Sequence, residues 1–184
     1  MGTNFIGLDT AKTETLAATL NELLSNYQIF YMNVRGYHWN IKGENFFELH
    51  AKFEELYDDL LLKIDEIAER ILTLGHRPAH AYSTYIEHSS VPERKDVSDG
   101  KEAVENIVDS FAKLIGKQRE LLSLAGDADD EGTVPWRPSG RLFCDRAVRP
   151  VASRRSPGRH RWVGAGPGAA PAGGGTSVPL PPGG

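Results

Sequence analysis

The chain of 184 residues has one cysteine, Cys144, so no disulfide can form within it. No apolar run approaches the roughly 18 residues of a membrane-spanning helix. The opening MGTNFIGLDTAK lacks the basic start and apolar run of a secretory signal. These absences argue against a disulfide-stapled secreted scaffold and a helical membrane protein, and the expected compartment is the cytoplasm. No internal repeat is visible, and the length suits one domain. Lysine is absent from the last 50 residues.

That last absence marks a division. Residues 1–134 carry 13 Lys+Arg against 24 Asp+Glu, a net charge of −11; residues 135–184 carry eight Arg and one Asp, a net charge of +7. The mild total of −4 therefore hides two dissimilar segments. The second holds nine Pro and ten Gly and shows no helical periodicity. Such a composition cannot bury enough apolar area to offset the entropy of ordering, so 135–184 is expected to be a disordered tail.

The first segment reads as helices. Asp9 is an N-cap candidate, and Leu16, Leu20, Leu23, Tyr27, Phe30 and Val34 trace one apolar stripe ending near His38. A short loop, Trp39–Glu44 with Gly43, reverses the chain. Phe46, Leu49, Phe53, Leu56, Leu60, Ile64, Ile67 and Ile71 then mark a long amphipathic helix that stops at Gly75. Pro78, Pro92 and the serines between them form a crossover, with one helical turn around Ala81–His88. Asp99 and Glu102 make a capping-box pattern ahead of a third amphipathic helix, which carries Val104, Ile107, Val108, Phe111, Leu114, Ile115, Leu121 and Leu122 and ends near Gly126. His76, His80 and His88 have no carboxylate at ligand spacing apart from the adjacent Glu87 and read as surface or interface histidines.

Candidate chemistry lies between His38 and Glu69. At about 100° of rotation per residue, with His50 at zero, Glu54 falls near 40°, Asp65 near 60° and Glu69 near 100°. All four share one side of the second helix. Neutral imidazole with carboxylate oxygen is ligand chemistry for a divalent transition metal such as iron. Glu54 and Asp65, however, are eleven residues apart, roughly 16 Å along the axis, whereas metal–ligand bonds are about 2 Å long. Either these are two unrelated polar pairs on a solvated acidic face, with His38 as a helix-end cap, or His50–Glu54 of one chain meets Asp65–Glu69 of another. An antiparallel two-fold pairing centred near Asp59 and Leu60 would make two equal sites, and His38, twelve residues before His50, could reach the first pair.

The run His38-Trp39-Asn40, the Lys42-Gly43 and Asn45-Phe46-Phe47 that follow, then His50, Glu54, Asp65 and Glu69, resemble the ferroxidase stretch of the Dps family of mini-ferritins, which protect DNA in stressed bacteria. The likeness covers about residues 10–134. Glu54 stands where that family commonly has Asp, which preserves the carboxylate. The resemblance implies an all-α, ferritin-like antiparallel bundle, ferrous iron oxidised mainly by hydrogen peroxide, and ferric mineral held in a hollow homo-oligomer of twelve subunits. It also implies a di-iron site at the dimer interface, with His38, His50 and Glu54 from one subunit and Asp65 and Glu69 from its mate. Trp39 would pack over that site and trap stray oxidising equivalents. Di-iron sites inside a single bundle use Glu-x-x-His on two helices; the long helix here offers Glu66-Ile-Ala-Glu69 instead, which favours the shared site. Asp127, Asp129, Asp130 and Glu131 are either a solvated loop or, by the resemblance, the lining of a three-fold pore that attracts cations.

The family's fourth core helix should follow, and the Pro/Gly/Arg-rich tail stands in its place. Pro135 and Pro138 alone would break a helix. Arg, Pro, Gly and Ala without Lys is what GC-rich codons yield out of frame, so the tail reads as a frameshift near Val134, with a genuine basic arm as the alternative. The first and third helices are then expected to expose faces meant for a core. Domain limits are thus 1–134 for an incomplete ferritin-like domain and 135–184 for the tail. Three functions are open: an iron-oxidising store, an inactive truncated fragment, and a DNA-packaging protein. An acidic core repels phosphate, so DNA contact falls to the arginine tail.

Overall fold

Two long helices joined by a five-residue turn supply the frame on which the rest is laid. The computed structural model describes residues 2–133, and these form α1 (Thr10–Asn40), α2 (Phe46–Thr73), α3 (Tyr82–His88) and α4 (Gly100–Asp127), with no named strand among them. The tail 135–184, the frame change near Val134, and Cys144 lie outside the described residues.

Asp9 caps α1, its carboxylate accepting from the backbone N–H of Ala11 and Lys12. All six residues of the apolar stripe in α1 are buried. The helix runs two residues past His38 and absorbs Trp39 and Asn40, which were expected in the loop. The Asn40 side chain donates to the Gly36 carbonyl at 2.8 Å, and Ile41 ends the helix with ψ at 141° while its N–H still reaches Tyr37. The reversal is therefore 41–45, where Gly43 takes a φ of 110° that side-chain-bearing residues avoid.

Six α2 residues, Phe53, Leu56, Leu60, Ile64, Ile67 and Ile71, face the core. Each such side chain contributes about 1.5–3 kcal/mol relative to exposure. Gly75 (φ 86°) closes α2, with His76 N–H on the Ile71 carbonyl and Gly75 N–H on that of Leu72, the paired bonds of a Schellman motif. Asp99 caps α4 through the N–H of Glu102 at 2.9 Å. Gly100 follows because the chain is crowded there: a Cβ would lie 2.6 Å from the Leu49 methyl of α2.

The crossover 76–99 is held by asparagines of α1 rather than by apolar packing alone. Asn21 accepts from Ala79 N–H at 2.7 Å. Asn26, 1% exposed, accepts through one oxygen from Ser89, from both the N–H and hydroxyl of Ser90, and from Val91 N–H. Asn33 donates to the Pro92 carbonyl and accepts from Arg94 N–H. Each amide imitates a backbone unit and pairs a loop group that would otherwise be buried bare.

Helices α2, α3 and α4 all pack against α1. That arrangement corrects one expectation: α1 does not offer an uncovered apolar face, because its neighbours approach from several sides. Helix α4 does. Ile107, Leu114 and Leu121 are buried, Phe111 packs edge-on against Phe30 with centroids 5.1 Å apart, and Val104 and Val108 are exposed. None of the described helices is long and apolar enough to cross a membrane.

Candidate metal centre at the α1–α2 turn

The end of α1 and the start of α2 bring His38 and His50 together. Their rings stack with centroids 3.7 Å apart and planes 21° from parallel. Nδ1 of His38 lies 2.9 Å from the His50 carbonyl, and Nδ1 of His50 lies 2.8 Å from the His38 carbonyl. A carbonyl only accepts, so each Nδ1 must carry the proton and donate. In the neutral rings both Nε2 atoms are then left with a lone pair. A carbonyl that fixes Nδ1–H is a common support for a metal-ligating histidine, because it sets the tautomer and the ring orientation together. Here each ligand candidate orients the other.

Aromatic rings brace the pair from both sides. Phe46 stacks on His50 at 5.1 Å and 24°, while Tyr57 meets His38 edge-on at 5.3 Å. Tyr57 in turn packs against Tyr31, and the guanidinium of Arg35 lies over the rings of Tyr31, Tyr57 and Trp39. Desolvation pushes the Tyr57 phenol above its ordinary value; the charges of Glu54 and Asp58 add to this and that of Arg35 opposes it. His38 is 8% exposed and Trp39, beside it, 60%.

The carboxylates are placed differently. Glu54 is exposed one turn after His50, and Asp65 and Glu69 are exposed about three and four turns further along α2. Among the described residues no three His, Cys, Asp or Glu side chains converge within one chain. The fold thus joins the two histidines and leaves the three carboxylates separate.

In the acidic loop, Asp127, Asp129 and Glu131 are exposed, but Asp130 is 3% exposed and ion-paired with Arg70 of α2. Thr133 donates its hydroxyl to the same carboxylate while accepting from Arg70 Nε, and Gly132 N–H donates at 3.1 Å. Burial alone would raise the Asp130 carboxyl, but the bonds from Arg70 and Thr133 and the Arg70 charge hold it below its ordinary value. Asp130 is therefore a tie between α2 and the end of α4. His80 and His88 are exposed beside Arg77 in a cleft between α1 and the crossover.

Sequence reasoning did not find the roles of Arg35, Tyr31, Phe46 and Tyr57. A signal was present for the first two: Tyr31, Arg35 and Trp39 recur every four residues along α1, one face of a helix.

The all-α antiparallel architecture, with a braced histidine pair at the α1–α2 turn, is that of a ferritin-like protein, and residues 17–135 match the ferritin-like domain family. The chain is 40% identical over 128 residues to the DNA protection during starvation protein of Porphyromonas gingivalis, spanning 70% of this chain and 80% of that one. It is 53% identical over 134 residues to an uncharacterized protein of Haemophilus influenzae, spanning 73% and 84%. Among solved structures it resembles the Dps protein of Vibrio cholerae O1, described as a member of a broad superfamily of ferritin-like diiron-carboxylate proteins, with a TM-score of 0.72 and 57% identity over 74% of this chain and 86% of that one. The Dps protein of Bacillus brevis gives a TM-score of 0.67 and 35% identity, over 69% and 85%. The chain belongs to the Dps family.

Proposed function

We propose that this protein oxidises ferrous iron with hydrogen peroxide and so protects DNA from the two reagents that damage it together. The observation that supports this most is the reciprocal Nδ1–carbonyl pairing of His38 and His50, which leaves the Nε2 of each neutral ring with a lone pair. Iron is the substrate. His38, His50 and Glu54 of one protomer would bind it, and Asp65 and Glu69 of a second copy would complete the coordination. Exposure of all three carboxylates is consistent with ligands that meet only on pairing. The family name of the relatives adds support for a role in DNA protection.

The reaction needs two electrons for each peroxide. Two ferrous ions give one each; with two protons from water the products are two ferric ions and two waters, so no hydroxyl radical is released. A pair of iron positions does this in one encounter, which is the advantage of two adjacent imidazoles over one. Trp39 stands beside His38, where it can intercept an oxidising equivalent that escapes. The active unit is the two-fold dimer. Twelve-subunit assembly around a ferric mineral core is the family arrangement, and Asp127, Asp129 and Glu131 would be the cation-attracting groups of its pore. The proposed compartment is the cytoplasm.

The test is stopped-flow oxidation of Fe(II) by peroxide in purified dimers. His50→Ala and Asp65→Ala should each abolish the rapid phase. A heterodimer of the two variants should recover one site of two, since one of the two sites in its interface keeps both native halves. Full activity in either single variant would falsify the shared site.

A further inference from the structure

Arg35 has a setting unusual for a charged side chain. It is half-buried near the C-terminal end of α1, and no carboxylate lies within ion-pair distance of it among the described residues. Its Nη1 donates to the Tyr31 hydroxyl at 2.8 Å. The guanidinium carbon lies 4.7 Å from the centroid of the Trp39 ring, 5.5 Å from that of Tyr31 and 6.0 Å from that of Tyr57. All three distances fall within the range where a cation is held by the negative face of a ring. One of these rings, Tyr57, touches His38, and another, Trp39, follows it in sequence. A positive charge so close to a cation-binding centre repels the metal, so its presence there calls for a compensating use.

We infer that Arg35 is a positioning and electrostatic residue that holds the Trp39 and Tyr57 rings about its guanidinium and makes the Trp39 ring harder to oxidise by one electron. The physical reason is a change of sign. The neutral indole attracts the guanidinium, whereas the cation radical left when an electron departs repels it. The cation therefore stabilises the reduced ring and destabilises the oxidised one. The inference rests on the iron-oxidising reading for its purpose, and the consequence there can be balanced. When peroxide meets only one ferrous ion, the second electron must come from elsewhere. The indole can give an electron and its N–H proton; with one proton from water, the products are a ferric ion, two waters and a neutral indolyl radical. By disfavouring that outlet, Arg35 lets the site wait for a second ferrous ion, so that iron is spent before the protein's own ring.

The test needs no iron, so it can fail or succeed independently of the ferroxidase reading. The full chain is taken with Trp136→Phe and Trp162→Phe, leaving Trp39 as the one indole. Flash-generated tris-bipyridine ruthenium(III) then removes one electron from Trp39, becoming ruthenium(II), and the rate is followed by the appearance of the indolyl radical. Arg35→Gln should oxidise about threefold to tenfold faster than the parent, the scale of a cation–π contact of ordinary strength. Arg35→Lys, which keeps the charge, should stay near the parent rate. Helix content from circular dichroism confirms that each variant is folded. Equal rates for Arg35→Gln and the parent would overturn the inference. So would Arg35→Lys oxidising as fast as Arg35→Gln, because the effect would then be loss of packing rather than of charge.

Discussion

The two ends of α2 solve opposite problems. At its start, His50 is locked to His38 by two hydrogen bonds, with Phe46 stacked on His50 and Tyr57 edge-on against His38. Toward its end, Asp65 and Glu69 stand in solvent. An imidazole has two nitrogens and binds metal through only one, so its tautomer and orientation must be set beforehand, and the chain does this internally. A carboxylate needs no such preparation. Held buried and unpaired, it would cost several kcal/mol in desolvation; left exposed, it costs little until a partner arrives. Asp130 shows the other solution for a carboxylate: it is buried, and Arg70 goes in with it. Preparation is spent on the candidate nitrogen ligands and the structural tie, and withheld from the candidate oxygen ligands.

The sharpest way to break that contrast is to make Asp130 behave like its exposed neighbours. Asp130→Ala leaves the Arg70 charge facing a nearly dry pocket, and removing one partner of a buried pair typically costs about 3–5 kcal/mol. Urea unfolding should show this loss, while Asp65→Ala should change stability by less than about 0.5 kcal/mol. The pH dependence follows from the lowered Asp130 carboxyl. A group whose folded pKa is depressed contributes stability above its unfolded pKa, near 4, and loses it as pH falls through the folded value. Stability of the parent chain should thus fall below about pH 4 more steeply than that of Asp130→Asn.

The next effect concerns the crossover. Asn26→Ala strips the acceptor from four donors of Ser89, Ser90 and Val91. Each buried group left unsatisfied costs about 1–3 kcal/mol, less where water can enter. A net loss of about 2–3 kcal/mol is expected, with faster amide exchange at Ser90 and Val91. Unchanged exchange there would mean the crossover is held by apolar packing and not by the asparagine.

These ties explain where sequence reading stopped. The apolar stripes of α1 and α2 were legible because their period is local: Leu16 and Leu20 announce a helix without reference to anything else. His38 and His50 were legible because two histidines at a defined spacing, with Trp39 and Asn40, carry a family pattern. Asn21, Asn26 and Asn33 were not, because their partners lie 56 to 65 residues away, and a polar residue on a helix carries no mark of a distant loop. Asp130 was grouped with Asp127, Asp129 and Glu131 as one acidic run. Nothing within that run says which carboxylate turns inward; the answer lies in Arg70, 60 residues earlier. The expected exposure of α1 failed for the same reason, since which neighbours enclose a helix is a non-local fact.

A third contrast is between the enclosed α1 and the open flank of α4. Val104 and Val108 remain exposed, and each large apolar side chain left in water forgoes about 1.5–3 kcal/mol. The 184-residue product is expected not to form a homogeneous twelve-subunit shell. Sedimentation showing a single cage species would refute this. The proposed dimer site would need only two copies of the chain and not the shell, so the heterodimer experiment stands either way.

The smallest effect expected is an absence of binding, and it sets the folded part against the tail. Residues 1–134 carry a net charge of −11, so a duplex gains nothing from counterion release on that surface and is repelled. Before the middle of α1 the chain offers one cation, Lys12, and its Nζ is already bonded to the Asp127 carbonyl at the end of α4. That contact caps a helix C-terminus, where a cation is favoured, and removes the one basic group that could reach out from this end. Protection of DNA by the folded part should therefore be chemical, through removal of iron and peroxide, and not by coating. The tail has eight arginines. If all were engaged, the log–log salt slope would be about −7, at roughly −0.9 per phosphate neutralised; a shallower slope is expected because a loose segment seldom engages every charge. Such binding would ignore sequence, as phosphate contacts do. Titrating one duplex with the full chain and with a 1–134 truncation across a salt series decides the matter. Measurable, salt-sensitive binding by the full chain and none by the truncation is the expected pair of results. Equal binding by both would place DNA contact on the acidic core and undo the charge argument.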